Sequence, residues 1–413
     1  MAKKCLMIIA DGGGDRPCPD LGGKTPFQAA KKPYIDSLAA HGSVGLMDVI
    51  APGIRPGSDT SHLALFGYDP YKYYSGRGPF EAAGAGIQLE KGDVAFRCNF
   101  ATIDKGVMID LRAGRIREGT TELAAALDGM ELNSVPDVKV IFRASTEHRC
   151  VLVLRGPSLS PRVNDIDPHE PGKPPQRAVA EENTDAAIRT AKALNEFFER
   201  SLKILAAHPV NETRRKQGLM PANAVIPRGA GQVMDIPSFE TVWKMKGAVV
   251  SATGMIIGIA RILGMDVITP PGTTANIDTS LDAKADAALR ALRDHDFVVI
   301  HVKGTDIAGH DGKAVEKKAM IEQLDAMVGR LLRAVNLDDV VVVLTCDHST
   351  PCTLKKHSAD PVPLVIAGGG ARHDSVHQFD EVTAVHGILA RIRGLDMFRI
   401  VYDLMDRSEK FGA

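Results

Sequence analysis

No excess of charge of either sign marks this chain: 50 lysines and arginines stand against 51 aspartates and glutamates, and no long run of one sign occurs. That excludes a broad electrostatic surface for nucleic acid or an anionic membrane, so any anionic ligand must be met by locally concentrated positive charge. No pair of cysteines is spaced C-x-x-C. The six, Cys5, Cys18, Cys98, Cys150, Cys346 and Cys352, are scattered through a chain large enough to fold without disulfides, and they read as reduced thiols of a cytoplasmic protein. No apolar run is suited to crossing a membrane. The longest candidate, "GAVVSATGMIIGIARILGM" (247–265), is dilute in strong hydrophobes and carries Arg261, so it reads as a buried strand plus a helix. The opening "MAKKCLMIIADGGG" sets two lysines before an apolar stretch of only about six residues that stops at Asp11, too short for a signal peptide's apolar region. It reads as a first strand. The glycine triplets at 12–14 and 368–370 lack the Lys-Ser/Thr of a phosphate-binding P-loop, and neither a strand-bound G-x-G-x-x-G nor a G-x-S-x-G is present. No internal repeat or low-complexity segment occurs.

What is present is a chain of 413 residues, 44% hydrophobic and 24% charged, ordinary for a globular enzyme and long enough for two domains. Short continuous Val/Ile/Leu runs alternate with helical patterns: strands at 5–11, 44–50, 297–306, 339–347 and 361–370, and helices at 26–42, 280–295, 313–335 and 380–392. Such an alternation is the pattern of a mostly parallel sheet covered by helices on both faces. The middle differs. The strands at 93–103, 138–144 and 148–156 are richer in arginine and closer to strict alternation, and a Pro-rich stretch (168–176) precedes a long helix over 181–207. The expected architecture is an α/β core of residues 1–80 and 221–413 with an inserted α+β domain over 81–220.

In open α/β sheets, ligands bind beyond the carboxyl ends of the strands. The first strand ends in Asp11. The strand at 297–302 leads into "KGTDIAGHDG", with Asp306 and His310. The strand at 340–345 leads into Asp347 and His348, and His357 follows nine residues later. Asp306 and His310 are four apart and face one ion if the segment makes a helical turn. Alone, a D-x-x-x-H or an Asp-His dipeptide says little. Repeated at consecutive strand ends, three aspartates and three histidines suit divalent ions such as Mn²⁺, Zn²⁺ or Co²⁺, and are enough for two. A nucleophile candidate lies in "RPGSDTSHLALFGYDP" (55–70), where Ser58 sits at the start of a short helix. Helix N-terminal N–H groups stabilise an alkoxide or a phosphate, although a serine there also serves as an ordinary N-cap.

With these stretches, and with "DGGGDRP", "GKTPFQAAKKPYID", "SGRGPFEA", "AFRCNFATI", "AGRI", "DPHE" and "DHSTPCTLKKHSADPVPLVI", the chain resembles the alkaline phosphatase superfamily and, within it, the cofactor-independent phosphoglycerate mutases of archaeal type. The resemblance implies an alkaline-phosphatase-like core with two metals, Mn²⁺ first and Mg²⁺, Co²⁺ or Zn²⁺ as alternatives, and no 2,3-bisphosphoglycerate. One ion would be held by Asp11, Ser58, Asp347 and His348, the other by Asp306, His310 and His357. Ser58 would carry the phosphoryl group while 3-phosphoglycerate becomes 2-phosphoglycerate, and closure of the inserted domain would exclude water. Arg97, Arg112, Arg115 and Arg149 of the insert suit the substrate's carboxylate and phosphate, and Arg228 and Lys303 add positive charge. Asp165, with Asp167 and His169, is the candidate proton shuttle. Cys346, for all its metal-binding chemistry, is assigned to packing.

Within the same fold, a phosphomonoesterase or a transferase to another small alcohol such as homoserine is the alternative. A sulfatase is disfavoured, because "PGSDTS" lacks the C/S-x-P-x-R pattern; a metal-bound binding protein without turnover is disfavoured by the complete ligand and nucleophile set. The expected partner is a small-molecule substrate, with no nucleic acid, no membrane and a possible homo-oligomer.

Overall fold

The computed structural model describes residues 3–412. The chain divides into two compact units: the residues up to Tyr73 together with those from Pro237 onward, and the inserted Tyr74–Ile236. The insert is wider at both ends than the expected 81–220. At one end the helix Gly78–Gly84, and at the other the strand Ala224–Gln232, pack on or pair with the insert's own sheet.

In chain order the strands are β1 (Lys4–Ala10) and β2 (Gly42–Asp48), then in the insert β3 (Val94–Asp104), β4 (Val107–Asp110), β5 (Lys139–Ala144), β6 (Arg149–Arg155) and β7 (Ala224–Gln232). The first unit resumes with β8 (Gly247–Val250), β9 (Asp266–Ile268), β10 (Phe297–Val302), β11 (Val340–Thr345), β12 (Val362–Ala367) and β13 (Ala390–Arg393). Among the described residues, the first unit's sheet runs β13-β2-β12-β11-β1-β10-β8-β9. It is mostly parallel, with β12 antiparallel to both β11 and β2. Every residue of β10, β11 and β12 is buried, as is all of β1 after Lys4. Unbroken apolar runs fit such strands because both faces are covered; each fully buried Val, Leu or Ile contributes roughly 1.5–3 kcal/mol. One group of helices gathers around Ala314–Ala334, with Pro33–Ala40 and Leu281–Ala291; the other joins Ser58–Leu65 to Gly254–Ile262 and Gly394–Leu404.

Two expected helices are corrected. The helix expected over 26–42 is two, Pro26–Ala29 and Pro33–Ala40. Pro33 has no N–H to continue a helix and disfavours helical backbone just before it, and Ala30 is already extended (φ −72°, ψ 143°). The helix expected over 380–392 is instead a 3₁₀ turn, Thr383–His386, followed by β13, which pairs in parallel with β2. There the open edge of β2 overrides the helical pattern, and a Cβ on Gly387 would stand 2.0 Å from the Val44 carbonyl oxygen. The helix begins only at Gly394.

The insert's sheet is antiparallel throughout, β4-β3-β6-β5 with β7 also on β3. Its alternation is the expected one. Val94, Phe96, Cys98 and Phe100 join Leu152 and Leu154 in a core that includes Leu194 and Phe197 of the helix Asp185–Ala206. Ala95, Val151 and Val153 face the other way, against Ala82 of the helix Gly78–Gly84.

Candidate active site

The register sets the ends of three strands level: Ala10 lies beside Val302 and Ile9 beside Thr345. Asp11, fully buried, follows β1. After β10 the chain turns at Lys303 into the helix Gly304–Asp311, so Asp306 and His310 do lie one turn apart on one helix. After β11 come the buried Asp347 and His348. Ser58 is the first residue of the helix Ser58–Leu65, with Gly57 as its N-cap, and its hydroxyl lies 3.0 Å from His348 Nε2.

The carboxylates and imidazoles converge. His348 Nε2 is 3.4 Å from Asp347 Oδ2 and 3.5 Å from Asp11 Oδ1. His310 Nε2 and His357 Nε2 lie 3.5 and 3.7 Å from Asp306 Oδ1, and the His348 and His357 rings stack at 3.6 Å. Two sets of donor atoms each lie within 4.8 Å of one another: Asp306, His310 and His357, and Asp11, Asp306 and His348. Asp306 therefore belongs to both groupings. Lys303 Nζ donates to Asp11 Oδ1 and Oδ2 at 2.9 and 3.0 Å and stands 2.6 Å from Asp306 Oδ2. Gly12 is required here: at φ +60°, a Cβ on it would meet Asp306 Oδ1 at 2.5 Å and Thr350 Oγ1 at 2.6 Å.

Burial pushes Asp11 upward, but the Lys303 charge and the His301 hydrogen bond outweigh it and hold this carboxyl well below its ordinary range. Asp347 goes the other way, raised by burial and by the neighbouring Asp11 charge. Burial also drives His348 and His62 down to about 3, leaving neutral imidazoles. These residues fit divalent ions on their own chemistry. Neutral imidazoles and carboxylates are the ligating forms, and Asp347 Oδ2 is a buried carboxylate oxygen without a hydrogen-bond partner, which a cation would satisfy.

Several residues of this region escaped the sequence reading. His301, inside the apolar β10, stands with Nε2 2.7 Å from Asp11 Oδ2, and Lys284 Nζ donates to the His301 carbonyl at 2.6 Å. His62 Nδ1 lies 2.7 Å from the Ser58 carbonyl. Thr350 Oγ1 donates to Asp306 Oδ1 at 2.7 Å. The signal was there for His301, the one polar residue in "FVVIHV"; His62 and Lys284 lie in helical patterns that give no such sign. Cys346 is fully buried, and its Sγ would be 2.7 Å from a Cβ on Gly13.

In the inserted unit, Arg97 lies opposite Arg228 across β3 and β7, while Asn99, two residues on, lies opposite Arg149. Side chains two apart share a face, so the three arginines line one face of the sheet. Arg112 and Arg115 sit in the exposed turn after β4. Burial drives His148, which the sequence reading passed over, down to about 3, and the charges of Arg149, Arg112, Arg97 and Arg115 push it the same way. Arg228 Nη1 pairs with the buried Asp167 at 2.9 Å. Asp165 accepts from the Gly229 N–H at 2.7 Å and lies 3.1 Å from His169 Nε2. Arg143, in β5, is paired with Asp128.

Two solved structures share this fold over all or nearly all of the chain. A protein of Pyrococcus horikoshii is 42% identical with a TM-score of 0.88, all of both chains covered. The cofactor-independent phosphoglycerate mutase of Thermoplasma acidophilum is 38% identical with a TM-score of 0.71, covering 98% of this chain and 100% of the other. Fold and site are those of an α/β protein whose mostly parallel sheet gathers, at its strand ends, carboxylates and imidazoles suited to divalent metal. The family model for 2,3-bisphosphoglycerate-independent phosphoglycerate mutase matches residues 39–211. Relatives of that name in Methanothermobacter thermautotrophicus (47% identical, 99% of this chain and 100% of the relative) and Thermococcus kodakarensis (49%, 100% and 99%) align from end to end. The chain belongs to the family of 2,3-bisphosphoglycerate-independent phosphoglycerate mutases, isomerases that work as intramolecular phosphotransferases.

Proposed function

We propose that this protein interconverts 3-phosphoglycerate and 2-phosphoglycerate without 2,3-bisphosphoglycerate, with Ser58 as the transient phosphoryl carrier. The observation that carries the reading is the Ser58 hydroxyl at a helix N-terminus, 3.0 Å from His348 Nε2, which itself lies 3.5 Å from Asp11 Oδ1 and 3.4 Å from Asp347 Oδ2. Asp11, Ser58, Asp347 and His348 would hold one divalent ion and Asp306, His310 and His357 the other. When bound, the ions, Mn²⁺ first and Mg²⁺, Co²⁺ or Zn²⁺ as alternatives, lower the serine pKa and offset charge on the phosphoryl oxygens.

Ser58, as the alkoxide, attacks phosphorus through Oγ; the bond to the glycerate 3-oxygen breaks and phosphoserine forms. The 2-hydroxyl of the same glycerate then attacks that phosphorus, and Ser58 is released. Asp165, held by the Gly229 N–H and close to His169, hands a proton to the departing 3-oxygen and takes one from the attacking 2-hydroxyl. The amide groups and dipole at the start of Ser58–Leu65 favour the phosphoserine's negative charge. Lys303 adds an ammonium beside Asp11. Arg97, Arg112, Arg115, Arg149 and Arg228, the last oriented by Asp167, bind the carboxylate and phosphate of phosphoglycerate, and retention of glycerate is what keeps water from taking the phosphoryl group. The first unit acts as the metal-binding core and the insert as the substrate-binding domain. Such a role in glycolysis and gluconeogenesis belongs in the cytoplasm; among the described residues no helix is long and apolar enough to cross a membrane.

Incubation with 3-phosphoglycerate and Mn²⁺, in the absence of 2,3-bisphosphoglycerate, should yield 2-phosphoglycerate without free phosphate. Phosphate alone would replace the mutase with a phosphatase, and no reaction would point to another small phosphorylated alcohol. Ser58→Ala should abolish turnover; full activity in that variant would sink the phosphoserine route.

A further inference from the structure

The "SGRGPFEA" stretch has no part in the chemistry assigned so far, yet its backbone is among the most tightly seated of the inserted unit. A Cβ on Gly78 would stand 1.9 Å from the Ala95 carbonyl oxygen, and one on Gly76 2.0 Å from that of Ala230. Ser75 Oγ donates to the Gln232 carbonyl at 2.5 Å. Residues 75–78 are therefore pressed onto β3 and β7, and the helix Gly78–Gly84 starts at a set place on the arginine-bearing face.

That placement puts one carboxylate among the arginines. Glu81, buried, accepts from Arg77 Nε at 2.8 Å and lies 3.7 Å from Arg97 Nε. Arg97 Nε is itself buried without a hydrogen-bond partner. Arg77, Arg97, Arg149 and Arg228 outnumber Glu81 and Asp167, so this group of side chains stays positive. Burial and then the Arg77 charge disfavour the cationic form of Arg97, and Glu81 opposes both. Without Glu81, these guanidinium groups would repel one another with nothing between them.

We propose that Glu81 is a positioning residue that acts through Arg77 and Arg97, holding their guanidinium groups as a preorganised pair for the anionic groups of the substrate, and that Arg77 is a further substrate-binding residue. The inference rests on the mutase reading above and deepens it. The surplus of guanidinium groups suits a small phosphorylated carboxylate rather than a neutral alcohol. Glu81 itself would repel the substrate, so its contribution is geometric: it sets the directions in which the two forks point.

The test compares Glu81→Gln and Glu81→Asp in the full-length Mn²⁺-loaded protein. Loss of one well-placed charge-assisted contact is worth about a tenfold change or more. Glu81→Gln should therefore raise KM for 3-phosphoglycerate at least about tenfold while kcat falls by less than about threefold, and Glu81→Asp should recover part of the loss. Arg77→Ala, at a partly exposed site that a folded chain tolerates, should raise KM similarly, and the double variant should lose less than the product of the two single losses, because Glu81 acts partly through Arg77. Wild-type KM in Glu81→Gln, or strictly additive losses in the double variant, would overturn the proposal. Calorimetric binding of 3-phosphoglycerate to the non-turning Ser58→Ala protein, with and without Glu81→Gln, separates the two readings. If wild-type protein fails to isomerise but anion affinity still drops with Glu81→Gln, the mutase reading fails and the positioning role stands. If the affinity is unchanged, the positioning role fails.

Discussion

Replacing Lys317 by methionine tests how the metal-ligand loops are held. Lys317, in the helix Ala314–Ala334, and Asp15 are both fully buried side chains 2.8 Å apart. The ammonium has three N–H groups and all three are used: Asp15 Oδ2 at 2.8 Å, the Gly14 carbonyl at 3.0 Å and the Thr350 carbonyl at 3.0 Å. It thus ties the turn after Asp11 to the loop that carries His348. Methionine would keep the apolar stem and remove every donor. The Gly14 oxygen would retain the Thr350 N–H at 3.0 Å, and Asp15 would retain the Cys352 and Arg16 N–H groups. The Asp15 charge would lose its counter-ion and the Thr350 carbonyl its donor. Breaking a buried pair from one side costs about 3–5 kcal/mol. At about 2–4 °C per kcal/mol for a unit of this size, the melting temperature should fall by about 6–20 °C. Scanning calorimetry of the full-length protein measures it. A double variant, Lys317→Met with Asp15→Asn, should recover part of the loss because no unpaired charge remains. A fall of less than about 2 °C for Lys317→Met alone would refute the argument.

Three further outcomes are expected. Adding Mn²⁺ to chelator-treated protein at about a hundredfold over its dissociation constant should add about 2.7 kcal/mol to the stability of the folded form, a rise of about 5–10 °C in melting temperature. Substituting His301 by Asn, which removes the imidazole from Asp11 Oδ2, should weaken metal affinity about 10–100-fold; a melting temperature that ignores both Mn²⁺ and chelator would rule out this metal centre. Glu381 is raised by burial to about 7 from an ordinary 4.5, against hydrogen bonds from Thr25 and Asp15. Because the folded state holds this proton more tightly, its stabilising effect is complete below about pH 4.5 and is lost as the pH rises through 7. Relative to wild type, Glu381→Gln should therefore gain stability between pH 5 and 8, by about 2–3 kcal/mol, as read by urea denaturation; a flat difference over that range would contradict it.

Much of this was legible along the chain. Continuous apolar strands such as "VVVVLT" announced burial on both faces, and what followed each of them announced where the polar groups would stand. The helix across Asp306 and His310 was conditional in the sequence and is present in the fold. Other features were hidden. The helical pattern over 380–392 gave way to a strand because an open edge of β2 was available. Arg77 and Glu81 could not be picked out, because nothing local says that a carboxylate at 81 will meet a guanidinium from the middle of β3. His301 was visible only as a polar residue in an apolar run.

By itself, then, the order of residues determined which side chains terminate the buried strands, and with them the kinds of ligand available: Asp11, Asp306, His310, Asp347, His348 and a serine at a helix start. That is local information, since strand period, helix spacing and caps act over a few residues. Only the tertiary structure decided which of those ends are neighbours. The parallel register of β1 between β10 and β11 brings Asp11 within reach of both Lys303 and His348, and places Asp306 among the donors of both groupings. Such proximities arise from packing between segments some 300 residues apart, where no sequence period reaches and the burial of shared apolar surface selects the arrangement.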